Sequence, residues 1–187
     1  KLWQWTQLEN ARPALRIERP PTYSEVLGRF QSSLAALDWT GAAECLAQFR
    51  QFHLIAAENL AFLRMQFLAE QGKWREIWED TDFPLLANIY VPRRVRSAMI
   101  TAFHAAVLSE SEAAGNLELS LDRFKQARGR LGGLLNGRFG LAESPVVRVF
   151  GYQAVVARDR TALETLLQLE PSDDTTRSCL QAMLGSL

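Results

Sequence analysis

Leu34-Ala35-Ala36-Leu37-Asp38-Trp39-Thr40-Gly41-Ala42 is the stretch whose reading decides the fold. Ahead of it, Val26, Leu27, Phe30, Leu34 and Leu37 recur at spacings of one, three and four. That spacing lays an apolar stripe along a helix of 3.6-residue period. After it, Ala43, Leu46, Ala47 and Phe49 begin a second stripe. The polar break at Asp38–Gly41 is too short for a long loop, so the two helices join through a tight turn and pack against each other. The layout returns in Phe67-Leu68-Ala69-Glu70-Gln71-Gly72-Lys73-Trp74, in Ala113-Ala114-Gly115-Asn116-Leu117 and in Val155-Val156-Ala157-Arg158-Asp159-Arg160-Thr161-Ala162. With Asp38, Gly72, Gly115 and Arg158 as markers, the steps are 34, 43 and 43 residues. Periods of about 34 to 47 residues belong to arrays of helical hairpins.

The rest of the chain fits this frame. Residues 1–21 hold Arg12-Pro13 and Arg19-Pro20-Pro21; adjacent prolines stop a helix, so an extended lead-in is expected. Thr22 with Glu25 three residues on is a capping-box pattern that starts the first helix. A third helix is predicted over Leu54–Gln71, apolar around most of its circumference and therefore set between neighbours. Gly72-Lys73 ends it, and a short helix with Trp74, Ile77 and Trp78 follows. Pro92 is placed to open the next helix, which runs to Gly115-Asn116 and pairs with a helix from Leu117 to Leu135. Ser144-Pro145 starts another, Asp159 caps the next, Pro171-Ser172 closes it, and a last helix carries Cys179, Leu180, Met183 and Leu184. No segment alternates strictly with period two. The class is all-α, with residues 22–187 as one helical-repeat domain.

The first two units resemble degenerate tetratricopeptide repeats, mainly over residues 23–80; residues 93–170 match only as helix pairs. Small residues precede the turns (Ala35, Ala36, Ala69), and an aromatic follows them (Trp39, Trp74). The resemblance implies antiparallel hairpins stacked as a right-handed α-solenoid that binds peptides or protein surfaces on its concave side. The chain departs from the pattern in two respects: prolines do not close the units at regular spacing, and the first and last units lack the turn glycine.

Charge and composition narrow the function. The 187 residues hold 21 Lys+Arg, 21 Asp+Glu and 48% hydrophobic types, which is ordinary for a globular protein and unlike a dedicated duplex-DNA binder. The balance is uneven, because residues 93–160 contain 11 basic and 6 acidic side chains. Cys45 and Cys179 are the sole cysteines, no disulfide framework, and read as buried free thiols in a reducing cytoplasm. No stretch reaches the length of a membrane span. Neither end of the sequence reads as a natural terminus, so a module of a longer, bacterial-looking protein is expected.

Catalytic patterns are weak. His53 and His104 lie in no metal-ligand spacing, and His104, in an apolar helix, reads as a hydrogen-bonded core histidine. A dyad of Cys45 with His53 rests on coincidence alone. Gly132-Gly133-Leu134-Leu135-Asn136-Gly137-Arg138-Phe139 has phosphate-loop spacing but lacks the lysine, the hydroxyl residue and the preceding strand. Glu76, Glu79, Asp80 and Asp82 read as a solvated helix end. Trp74 and Trp78, four apart, share one face, as core packing or as an aromatic shelf for a peptide.

The anomaly is Pro92-Arg93-Arg94-Val95-Arg96, three arginines where a helix dipole favours acids. Arg123, Lys125, Arg128 and Arg130 extend the basic section. Together these seven are candidates for a partner- or anion-binding ridge; the competing reading pairs them with Glu110, Glu112, Glu118 and Asp122. The expected function is a non-enzymatic scaffold without cofactor or metal that holds a peptide or protein. A nucleic-acid-binding domain using residues 93–148, or a regulatory domain fused to an enzyme outside this chain, are the alternatives.

Overall fold

The computed structural model describes residues 19–138, 140–168 and 173–187; among them every regular element is helical. Most of the expected lead-in, Phe139 and Pro171-Ser172 lie outside the described residues. The helices are α1 (Tyr23–Ala35), α2 (Trp39–Gln51), α3 (Ala57–Glu70), α4 (Trp74–Glu79), α5 (Phe83–Leu86) and α6 (Arg93–Phe103). A π-helical turn (His104–Leu108) continues α6 into α7 (Ser109–Ala113). Then come α8 (Leu117–Ala127), a 3-10 segment (Arg128–Leu135), α9 (Ser144–Ala157), α10 (Arg160–Gln168) and α11 (Asp174–Gly185). The capping box is present: the Thr22 N–H donates to Glu25 Oε2 at 2.7 Å, and the Glu25 N–H donates to Thr22 Oγ1 at 3.4 Å.

Four turns share one geometry. Leu37, Gly72, Gly115 and Arg158 take left-handed φ values of 58°, 68°, 68° and 56°. The next N–H reaches back to close the helix just ended: Asp38 to the Ser33 carbonyl, Lys73 to Leu68, Asn116 to Ser111 and Asp159 to Ala154, at 2.8 to 3.0 Å. This is the Schellman way of satisfying the last carbonyls. In three of the turns the same residue opens the following helix. The side chains of Asp38, Asn116 and Asp159 each accept, at 2.9 Å, from the N–H three residues on, an N-cap. The left-handed residue of the first turn is therefore Leu37, one position before the marker chosen from sequence. Leu37 does not end the apolar stripe of α1; its side chain is 64% exposed.

The apolar side chains gather in two clusters. The smaller joins Val26, Phe30 and Leu34 of α1 to Ala42, Cys45 and Phe49 of α2. The larger runs from α3 to α11. Helix α3 stands between them: Ala61, Met65 and Leu68 belong to the larger cluster, Leu60 and Leu63 pack on the smaller, and Phe67 touches both. That position is why α3 is apolar on nearly every side.

Two boundaries differ from the sequence reading. Helix α3 starts at Ala57, because His53 turns left-handed (φ 49°) and the Leu54 N–H closes on the Phe49 carbonyl; Leu54 and Ile55 pack against the small cluster instead. Helix α8 does not continue to Leu135. It tightens at Arg128, and Gly132 (φ +47°) breaks the helical path. A Cβ on Gly132 would stand 2.6 Å from Asn88 Oδ1, so the glycine lets the 3-10 segment lie directly on the loop after α5.

Through the larger core runs a line of aromatic rings. Trp78 meets Phe83 and Phe103 edge-on, at 5.0 and 5.3 Å between centroids. Phe103 meets Phe124 at 5.8 Å, and Phe124 stacks on Tyr152 at 5.8 Å. Such contacts add orientation to plain apolar burial.

Candidate functional site

The seven basic candidates divide by what they touch. Arg93 donates to the Gly140 carbonyl at 2.7 Å. Arg96 is half-buried and donates to the carbonyls of Leu134 (3.1 Å) and Gly137 (2.8 Å). It faces the carbonyl-rich end of the 3-10 segment, where a cation is favoured, and this explains an arginine in the first turn of α6. Burial lowers its pKa from the usual arginine range. Arg123 pairs with Glu110 at 2.9 Å and Lys125 with Asp122 at 3.4 Å. Arg130 donates to the Asp80 carbonyl at 2.9 Å and lies 4.8 Å over the Trp78 ring. Among the described residues, the exposed Arg94 and Arg128 side chains meet no partner. Arg93 and Glu110 are separated by about 25 Å of helical rod at 1.5 Å per residue. Arg93 and Arg123 thus sit at opposite ends of that rod, and the seven residues do not form one ridge.

Trp74 and Trp78 do come together, lining one groove with Glu76, Glu79 and Ala105. Trp78 is also a half-buried piece of the core, roofed by Arg130. The four acids beside them are all ion-paired: Asp80 and Asp82 with Arg64 at 2.7 and 2.9 Å, Glu79 with Arg75 and Glu76 with Lys73. Gly132–Gly137 is packed and bonded by Arg96 rather than open to a phosphate. No hydrogen bond joins Cys45 to His53.

A groove opens where α1, α3 and the start of α6 meet, with a volume of about 390 Å3. Its floor is Ile55, Phe62, Leu63 and Val95, its rim Arg93 and Arg94, and its polar wall the amides of Asn59 and Gln66. Among the described residues no acidic side chain lines it. The chain entering the rim carries Leu85, Ile89 and Tyr90, which are 63%, 39% and 91% exposed. The sequence did hold a signal for this surface, in its gaps rather than its clusters. Residues 83–109 and 123–142 contain no Asp or Glu. The Arg93–Gly140 and Arg96–Leu134 bonds lay these two stretches side by side.

A second site lies at the far end of the rod. In an uninterrupted α-helix, residues eight apart are about 80° apart around the axis. The wider π turn absorbs close to one residue, which brings His104 and Glu112 onto one face, Nε2 to Oε2 at 2.9 Å. Both side chains are 9% exposed. Arg148 of α9 donates to the same Glu112 oxygen at 2.9 Å and to Thr176 Oγ1 at 2.8 Å, with Asp173 at 3.6 Å. Burial works against the Glu112 carboxylate, but the hydrogen bonds from His104 and Arg148 outweigh it and hold its pKa below 4.5. His104 is thus the hydrogen-bonded core histidine expected. Tyr152, fully buried, sets its hydroxyl among the side chains of Ser120, Glu112 and Cys179, all three of which interact with it; burial raises its pKa. Cys179 is half-buried, and burial pushes its thiol up to about 11. No group of His, Cys, Asp and Glu among the described residues is arranged to hold a metal ion.

Residues 1–187 match the model of the DpdD-like family. The chain belongs to that family. No curated protein and no solved structure matches it. None of the helices in the described residues is long and apolar enough to cross a membrane.

Proposed function

We propose that this chain is a non-catalytic, cytoplasmic interaction module whose hairpins stack in the manner of tetratricopeptide repeats and hold a partner protein. The four turns of equal geometry support the stacking. The observation that carries the function is the arginine-rimmed apolar groove, together with the exposed Leu85, Ile89 and Tyr90 in the chain that leads to its rim. Exposed apolar area with tyrosine and arginine around it is the composition of a protein-binding surface. Arg94, with no partner of its own among the described residues, is the cation best placed to meet an acidic group on the partner.

A photo-crosslinking residue in place of Tyr90 tests this in cells. Capture of one discrete protein, abolished by Arg94→Glu, is the expected result. Capture of no protein would end the proposal. Arg96 stays untouched in such variants, since its guanidinium holds the 3-10 segment.

One observation favours nucleic acid as a second reading: Arg94, Arg128 and Arg138 are all without side-chain partners among the described residues, and the nearly bare Tyr90 offers a stacking face. Salt separates the two. Binding driven by phosphate weakens steeply from 50 to 200 mM salt, whereas a groove filled by apolar side chains holds.

A further inference from the structure

The groove where α1, α3 and the start of α6 meet carries more than apolar area. Asn59 and Gln66 both belong to α3 and both line it. Seven residues of α-helix make two turns to within about 20°, so the two amides stand one above the other, about 10 Å apart along the axis. Among the described residues neither side chain has a hydrogen-bond partner. Each offers two N–H donors and a carbonyl acceptor. Phe62 and Leu63 fall between them in α3 and form the apolar floor with Ile55 and Val95.

That order of amide, apolar floor and amide selects what can lie there. A helical ligand spends its backbone N–H and C=O groups on its own hydrogen bonds. The two amides would lose water beneath it and gain nothing in return. An extended segment keeps its backbone groups free, and three of its residues cover about 10 Å at roughly 3.3 Å each. One such segment can therefore reach both amides while a side chain between them enters the floor. The rim selects the sign of its charge. Arg93 is held by the Gly140 carbonyl, whereas Arg94 has no partner among the described residues. Arg94 precedes the floor residue Val95 directly, so an acid that meets it stands close to the apolar anchor.

Resting on the reading of this groove as the partner-binding surface, we propose that its occupant is an extended acidic segment of the partner protein. The segment's backbone bonds to the Asn59 and Gln66 amides, one apolar side chain fills the floor between them, and a nearby carboxylate pairs with Arg94. Main-chain bonds of this kind supply affinity, and the floor and the arginine supply sequence preference.

The probe is a phage-displayed library of random linear peptides, panned on the full chain. Selected peptides should carry an acidic residue beside or next but one to a leucine, isoleucine or aromatic residue, with no helical repeat of apolar positions. In a synthetic copy of the strongest, N-methylation of the backbone nitrogens in turn should weaken binding at least tenfold at one position or more, since the methyl removes a donor and leaves every side chain. Asn59→Ala combined with Gln66→Ala should weaken it at least tenfold with an unchanged thermal midpoint, because those amides hold nothing in the fold. Arg94→Glu should do likewise, and Arg94→Lys should retain most of the binding. Selection of no peptide, of basic peptides or of apolar residues on a helical period would overturn the assignment. So would full binding by the double variant or by Arg94→Glu, indifference to N-methylation, or tighter binding of oligothymidylate than of any peptide. Dimerisation of the chain alone, abolished by Arg94→Glu, would seat a second copy in the groove and overturn it too. A discrete protein cross-linked through Tyr90 with no such peptide selected would sink the extended segment and leave the interaction module standing; capture of no protein removes the module itself.

Discussion

The rod from Arg93 to Ala113 carries arginine chemistry at both ends, and the ends are opposites. At its start, Arg94 is exposed and has no hydrogen-bond or ion-pair partner among the described residues. Near its finish, Arg148 is only 16% exposed at the side chain and is bonded to Glu112 and Thr176. The first charge keeps its hydration and its freedom. The second has lost water and gained fixed partners, so removing either side of the pair strands a buried charge. A guanidinium already satisfied inside the protein holds structure, and one left free is available for something outside it. Equal counts of positive and negative residues conceal that difference.

The largest expected effect is therefore Arg148→Met, which should cost about 3 to 5 kcal/mol in urea unfolding, while Arg94→Ala should stay within about 0.5 kcal/mol. Equal losses would erase the contrast. Next comes Gly151→Ala on α9, where an added Cβ would stand 2.7 Å from Leu180 Cδ2 and 2.8 Å from Met183 Sδ. Overpacking of that kind costs about 1 to 3 kcal/mol, and the thermal midpoint reads it.

Acid sharpens the comparison further. The Glu112 carboxyl is held below its ordinary value of 4.5 in the folded protein, so its contribution is complete above that pH. The contribution is lost as pH falls from 4.5 through the lowered folded value. Denaturant titrations from pH 6 to pH 3 should show that loss, and Glu112→Gln should reduce the slope, leaving the part that belongs to Asp173 and Glu25, while Arg94→Ala leaves it intact. The smallest effect belongs to the turns. Leu37→Gly and Arg158→Gly each relieve a left-handed side chain and should stabilise by about 0.5 to 1 kcal/mol; destabilisation by either would contradict the turn geometry.

Helices were legible because period and punctuation agree: Val26, Phe30 and Leu34 fall on one stripe, and Thr22 caps it. Their boundaries were less so. His53 and Leu37 adopt left-handed geometry that residue type does not announce, and the 3-10 segment depends on how closely Gly132 approaches Asn88. Of the site, the arginines at Arg93–Arg96 stood out, but their division did not. Whether a guanidinium meets a carbonyl, as Arg96 does, or has no polar partner among the described residues, as with Arg94, depends on segments 38 to 41 residues away in sequence folding back beside it. The His104–Glu112–Arg148 network was invisible for a similar reason. An eight-residue spacing suggests contact only once a wider helical turn is known to intervene.

The double duty of Asp38, Asn116 and Asp159 has a consequence for how this fold can change. Each is a rivet through two rods, its amide fastened to the one behind and its carboxylate or amide oxygen to the one ahead. Lengthening such a joint by a single residue would detach both, so diversity among relatives should gather in other linkers and leave these three joints at constant length.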